Sequence, residues 1–178
     1  MLLICSIALG QKTEIYKINT TKSIVKWAGK KIVGGNTEGS IQIANGTLHF
    51  VGQNLRTGEI VMDTKSIHSE KASPRLIAHL KNEDFFDVEK FPTAKFVITS
   101  VKGNQISGKM TIKGITKDLS FPAEITYSKN TVVAKATQVK VDRTKFDVKY
   151  RSGSIFSGLG DGAIEDYFVL DITLIAEK

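Results

Sequence analysis

The chain has 178 residues, 41% of them hydrophobic, with three prolines and a formal net charge of +7. That apolar share is enough for one core in one domain, and it excludes a disordered chain. No stretch of about 18 consecutive apolar residues occurs, so no membrane-spanning helix is expected. The basic balance would suit an anionic lipid, a membrane surface or nucleic acid, but the lysines stand singly along alternating segments, as at Lys95, Lys109, Lys113, Lys135 and Lys140. Without a basic run or an interleaved aromatic platform they predict a solvated exterior and no nucleic-acid partner.

Residues 1–10, MLLICSIALG, read as a shortened signal peptide. Leu2 to Leu9 form its apolar stretch, and Ala8-Leu9-Gly10 sets small residues two apart, as signal peptidase requires. A periplasmic or secreted protein is therefore expected, with one domain over 11–178. Cys5, the one cysteine, lies inside that block. A mature chain without it has no disulfide, thiol nucleophile or cysteine-bound metal, and its stability rests on packing.

From Thr13 onward the dominant period is two. Ile60 and Met62 face away from Val61, Asp63 and Lys65; Phe96 and Ile98 oppose Lys95 and Thr99; Met110 and Ile112 oppose Lys109, Thr111 and Lys113. Phe168, Leu170, Ile172 and Leu174 repeat the pattern against Asp171 and Thr173. This is half-buried antiparallel strand chemistry. Asn45-Gly46, Gly103-Asn104 and Lys129-Asn130 read as hairpin turns between such runs. About eight strands follow, each of roughly nine to eleven residues. An open sheet of that size would leave edges and an apolar face uncovered, so an all-β, eight-stranded antiparallel β-barrel on the order of 30 Å long is expected.

One segment breaks the alternation. Residues 73–81 read as a short helix with Ser73 as N-cap, Pro74 at its first position, and Leu76, Ile77 and Leu80 on one face. Asn82 to Asp87 read as a further brief helical turn, so that a helical insert near residues 74–87, carrying Phe85 and Phe86, caps one end of the barrel. The glycine-rich run from Gly153 to Gly162 lacks the Gly-Lys-Ser/Thr of a phosphate loop and reads as a loop at the barrel mouth.

The run Arg75-x-x-x-His79-Leu80-x-x-x-Asp84-Phe85-Phe86-Asp87, followed by Phe91-Pro92-x-x-x-Phe96, resembles the middle signature of the YceI-like family of bacterial polyisoprenoid-binding proteins. Ser66-Ile67 precedes it, and the segment Gly108 to Lys117 and the pair Asp142-Arg143 followed by Phe146 resemble further family features in the same order. The resemblance implies a lipocalin-like barrel whose apolar pore binds isoprenoid or other amphiphilic lipids, often as a dimer, with no catalytic chemistry. Trp27 and the run Lys30-Lys31-Ile32-Val33-Gly34-Gly35 depart from the family's pattern, as does the loop from Arg151 to Gly162.

A catalytic reading finds little. The three histidines are His49, mid-strand, His68, at a strand end, and His79; no Gly-x-Ser-x-Gly elbow surrounds a serine, and no histidine pair has the i, i+4 metal spacing. No enzyme, metal or cofactor is expected. Arg75 and His79, i, i+4 on the helix, either hold a ligand's polar head or anchor the lid by ion pairs, and Arg143 beside Asp142 carries the same two alternatives. Inward positions that line a lumen or fill it are Trp27, Ile60, Met62, Phe96, Ile98, Met110, Ile112, Phe121, Phe168, Leu170 and Ile172, with Phe85 and Phe86 closing the helical side. The expected function is non-catalytic binding, storage or transport of a long-chain amphiphilic lipid of polyisoprenoid, isoprenoid quinone or fatty-acyl type, with peripheral membrane contact or a homodimer compatible with it. The alternative is a barrel filled by its own side chains that serves as an envelope-stress or interaction protein.

Overall fold

The computed structural model describes residues 12–178, so the apolar block 1–10 lies outside the described residues. The order of elements is β1 (Thr13–Ile18), β2 (Ile24–Lys30), β3 (Asn36–Val51), β4 (Asn54–His68), α1 (Pro74–Lys81), β5 (Thr93–Lys102), β6 (Gln105–Ile112), β7 (Ile115–Pro122), β8 (Glu124–Tyr127), β9 (Thr131–Asp142) and β10 (Tyr167–Glu177). A short 3₁₀ turn, Arg143–Phe146, follows β9, and every strand pairing is antiparallel.

The ten strands form eight staves. β1 and β2 lie end to end between β3 and β10: β3 bonds to β1 through Thr47–Val51 and to β2 through Asn36–Ile41, while β10 bonds to both. Their junction is a turn in which the Asn19 side chain accepts from the backbone N–H groups of Thr21 and Lys22. The second broken stave is β7 with β8. β7 bonds to β6, β8 bonds to β9, and buried Ala123 between them donates its N–H to Asn104 O at 2.8 Å. Running the chain from β6 through this stave to β9 closes the ring, which is an eight-stranded barrel as the alternation predicts.

The chain departs from the local pattern at Asn45-Gly46, in the lengths of β3 and β4, and at residues 82–87. Asn45-Gly46 is no turn: β3 runs straight through it with a bulge between Ile43 and Asn45. A two-residue type I′ hairpin needs positive φ at both residues, and neither residue has it. The glycine is required for close approach, since a Cβ there would sit 2.5 Å from Ile18 Cδ1 and 2.6 Å from Glu59 O. β3 and β4 are accordingly 16 and 15 residues long, beyond the expected nine to eleven. Residues 82–87 form consecutive turns and not a helix, with Asp87 at φ 46°. Helix α1 itself starts as predicted, the Ser73 hydroxyl accepting from Leu76 N at 3.2 Å.

One end of the barrel is plugged. Tyr16 and Phe50 are fully buried and pack with Tyr127 at ring-centroid separations of 5.4 to 5.9 Å, edge-on or tilted. The Tyr127 hydroxyl donates to Glu14 Oε2 at 2.9 Å, Tyr16 hydroxyl meets Lys129 O at 3.1 Å, and Lys178 Nζ binds Glu14. Hydrogen bonds from Lys178 and then Tyr127 hold the Glu14 carboxyl below its ordinary value, while contact with Tyr16 and that carboxylate push the Tyr127 phenol well above the usual range. At the opposite end, α1, the turns after it and the loop between β9 and β10 form a lid.

Candidate functional site

Between plug and lid runs an apolar lumen in two compartments. The upper one, of about 180 Å³, lies under the lid and is walled by Trp27, Ile41, Met62, Ile67, Ala94, Met110, Ile112, Phe168 and Leu170, with Leu76, Leu80, Phe85 and Phe86 above. The lower one, of about 70 Å³, is walled by Ile60, Phe96, Ile98, Ile106, Leu119, Phe121, Ile125, Val139 and Ile172 among others. Met62, Met110 and Leu170 line both, so the two meet at a waist of two thioethers and a leucine. Unbranched, polarizable methionines adapt to irregular shapes, which makes this the deformable part of the tube.

The register explains the walls. Ile60 pairs with Phe96 and Phe96 with Met110, so three neighbouring strands present one row of apolar side chains to the interior. Every lumen residue expected from the alternation, from Trp27 to Ile172 and including Phe85 and Phe86, lines one compartment or both. Trp27 takes its place through a neighbour: it pairs with Gly39, and a Cβ on Gly39 would sit 2.5 Å from the indole ring and 2.0 Å from His68 O. The indole N–H donates to Ser40 O at 3.0 Å, so the ring offers an apolar face to the lumen with its polar edge satisfied.

The polar positions fall out differently. Arg75 is exposed on α1 and lines neither compartment. Helical residues advance about 100° each, and since Leu76 and Leu80 face the lumen, Arg75 and His79 one residue earlier are turned away from it. His79 instead packs edge-on against Phe85 at 5.0 Å and Tyr150 at 4.6 Å, with Nδ1 at 3.2 Å from Asn82 Nδ2 and 3.7 Å from Asp84 Oδ2. Its Nε2 is buried without a hydrogen-bond partner among the described residues. Thus His79 packs within the lid, and neither it nor Arg75 lines a compartment.

Arg143 touches the upper compartment, and four of its five N–H donors are committed. Nε donates to Glu165 O at 2.9 Å, Nη1 to Val148 O at 2.8 Å and Tyr150 O at 3.0 Å, and Nη2 to Ile164 O at 3.1 Å. The residue is 4% exposed. Burial pulls the guanidinium below its ordinary value, which Asp166 and Asp142 partly offset, and it stays charged. The side chain is a strut that ties the loop between β9 and β10 into one piece. Asp166, adjacent, accepts from the hydroxyls of Ser152 and Ser154.

The charged groups that do line the mouth are Lys30, Lys31 and Glu165, with Lys30 Nζ 3.8 Å from Glu165 Oε1. Lys31 pairs with Ile164 in an isolated bridge, and Ile32 N donates to Ala163 O at 2.9 Å, so the β2–β3 loop and the late glycine-rich loop form one rim. Leu76 and Leu80 also belong to the site and were readable in advance from their i, i+4 spacing. Among the described residues no cluster of three His, Cys, Asp or Glu side chains could hold a metal ion.

A closed antiparallel barrel with a lidded, mainly apolar lumen and a charged mouth defines a lipocalin-like architecture. The chain belongs to the YceI-like family: the YceI-like domain matches residues 16–176. A protein of Pseudomonas fluorescens called UPF0312 is 28% identical over 115 residues, 61% of this chain and 60% of its own length. The chain thus spans about 60% of the length of the curated relatives it first matches. Among solved structures, BcnA of Burkholderia cenocepacia superposes with a TM-score of 0.66 at 21% identity, covering 89% of this chain and 99% of that one. A polyisoprenoid binding domain from Saccharophagus degradans superposes with a TM-score of 0.69 at 9% identity, covering 91% and 97%. These likenesses establish the fold.

Proposed function

We propose that the protein binds one long amphiphilic lipid, of polyisoprenoid, isoprenoid quinone or fatty-acyl type, and carries or stores it without chemical change. The observation that carries the reading is the tube itself: a lumen walled mainly by apolar side chains from the lid toward the Tyr16–Phe50 plug, with Lys30, Lys31 and Glu165 at the mouth and Lys135 on the lower wall. The tail would lie along the axis through the Met62–Met110–Leu170 waist, and an acidic or phosphorylated head would meet the two lysines. Tail burial at roughly 25 cal/mol per Å² supplies the driving force, less the cost of ordering a flexible chain. The naming of the Saccharophagus degradans neighbour as polyisoprenoid-binding supports the same chemistry.

The test is native mass spectrometry with lipid extraction of the protein purified from its own host. A retained amphiphile is the expected result. An empty protein that also takes up no isoprenoid or fatty acid overturns the reading in favour of a filled barrel with an envelope-stress or interaction role, which the small lower compartment favours. Export to the periplasm or medium is part of the proposal and is supported by the Ala8-Leu9-Gly10 motif. Mass measurement of the N-terminus checks it: a chain starting at Gln11 is expected, and one that retains residues 1–10 overturns it.

A further inference from the structure

Seven large apolar side chains are exposed among the described residues: Ile15, Ile24, Ile32, Val33, Ile155, Phe156 and Tyr167. Five of these are at the mouth. Ile32 and Val33 tip the β2–β3 loop, each 54% exposed; Ile155 and Phe156 tip the loop after the 3₁₀ turn, 44% and 48% exposed; and Tyr167 opens β10 on the wall of the upper compartment. The two loops lie side by side, for a Cβ on Gly153 would sit 2.9 Å from Ile32 Cδ1. Gly34 at φ 122° and Gly158 at φ 76° end the two tips in turns that other residues adopt only under strain.

Basic residues stand around these tips. Lys31 and Arg151 are exposed and have no carboxylate partner among the described residues, whereas Lys30 and Lys149 pair with Glu165 and Asp147. Arg151 is held over the Tyr150 ring at 5.7 Å. The acidic groups nearby are Glu165 and Asp147, each facing a lysine, Asp161, exposed on the same loop, and Asp166, occupied by two serines.

We infer that this rim docks on the surface of an anionic lipid bilayer, with Ile32, Val33, Ile155 and Phe156 entering the interface and Lys31 and Arg151 meeting lipid phosphates. Apolar tips ringed by unpaired cations match the boundary between headgroups and acyl chains, which is apolar below and negative above. A protein partner of matching shape would have to supply both an apolar socket and acidic rim, and nothing else in the patch calls for one. Docking this way sets the mouth of the lumen directly against the bilayer, so a tail can cross between membrane and barrel without exposure to water. The inference rests on the proposed lipid-binding role, and the two fail separately.

The experiment is sedimentation of the purified protein with vesicles of phosphatidylglycerol mixed with phosphatidylcholine, against vesicles of phosphatidylcholine alone. The wild type is expected to partition onto the anionic vesicles and to be released by salt. The double variant Ile155→Ser, Phe156→Ser and the double variant Lys31→Glu, Arg151→Glu should each lower partitioning by roughly tenfold or more, with an unchanged melting temperature because none of the four is buried. A lumen-blocked Met110→Trp variant should bind vesicles as the wild type does. Absence of partitioning by the wild type, or equal partitioning by the rim variants, overturns docking while leaving lumen binding intact. A concentration-dependent dimer that the Phe156 variant abolishes, without vesicle binding, assigns the patch to a second copy and also overturns it.

Discussion

Arg143 Nη2 and Asp166 Oδ1 lie 3.9 Å apart, yet each has its hydrogen bonds elsewhere, the guanidinium with four backbone carbonyls and the carboxylate with two serine hydroxyls. The two charges sit in one joint, with Arg143 buried and Asp166 half-buried, that holds the late loop against the barrel. Replacing Arg143 by Leu leaves those carbonyls without donors, and should destabilise the protein by about 3–5 kcal/mol in chemical unfolding. Arg143→Lys should recover less than half of this, because one ammonium cannot reach carbonyls that the planar fork spans. Equal stability of Arg143→Leu and wild type would show that the strut carries no energy.

The same joint gives a pH dependence. Burial works to raise the Asp166 value, but bonds from Ser152 and Ser154 and the Arg143 charge outweigh it, so the carboxyl titrates below its ordinary 3.8. A depressed folded value means stability that is complete above the unfolded value and lost as pH falls through the folded one. The melting temperatures of wild type and Asp166→Asn should therefore differ at neutral pH and converge as the solution is made more acidic than about pH 4. A gap that stays constant down to pH 2 or so would contradict the assignment.

His79 bears an unpartnered ring nitrogen packed beneath Tyr150 and beside Phe85. An unsatisfied buried polar atom costs on the order of 1–3 kcal/mol, partly offset here by the Asn82 contact that Phe would forfeit. His79→Phe should then raise stability by about 1 kcal/mol, or roughly 2–4 °C in melting temperature, with lipid uptake unaltered. Loss of uptake in a well-folded His79→Phe protein would place this ring in the binding role that its geometry denies it.

The waist offers a direct probe of the tube. Met110→Trp or Ile112→Trp adds bulk at or above the narrowest level, costs about 1–3 kcal/mol in overpacking, and should abolish uptake of a fluorescent fatty acid or isoprenoid while preserving the β-sheet circular dichroism. Unchanged uptake would show that the tail does not follow the axis.

Close packing of the wall rests on a glycine. Gly108 pairs with Ile98 and Leu119, and a Cβ there would sit 2.3 Å from Val97 O and 2.6 Å from the Phe96 ring. Gly108→Ala should destabilise by about 1–3 kcal/mol because backbone as well as a ring must move. Gly103→Ala, with nothing within 4 Å of its Cβ, should cost about 1 kcal/mol for its φ of 60° alone, so urea midpoints should rank the two clearly.

Why the walls were legible and the mouth was not follows from range. Inward and outward faces alternate residue by residue, so Met62, Phe96 and Leu170 could be placed from their immediate neighbours. The barrel followed from the number of such runs. Arg75 and His79 kept two alternatives because i, i+4 spacing says that two residues share a helical face without saying which face turns inward; Leu76 and Leu80, which line the upper compartment, mark the inward face. Arg143 spends its donors on carbonyls from Val148 to Glu165, a juxtaposition that only the folded loop creates. Lys30 and Lys31 stood out as a departure, but their place at the mouth depends on a bridge to Ile164 that no local pattern announces. Asn45-Gly46 misled because the same dipeptide serves as a turn or as a close-approach point in a strand, depending on what crosses beside it.

The stave made of β7 and β8 gives the wall a soft side. Where β7 passes beside β9, no ladder joins them among the described residues, so widening there breaks side-chain contacts and no backbone bond. Lys117 marks the place: it pairs with Met110 and shares its sheet face, yet it is exposed where an inward residue of a sealed wall would be covered. The methionine waist thus lies beside this unladdered seam, and an increase in girth there would leave the ladders that join the other staves unbroken.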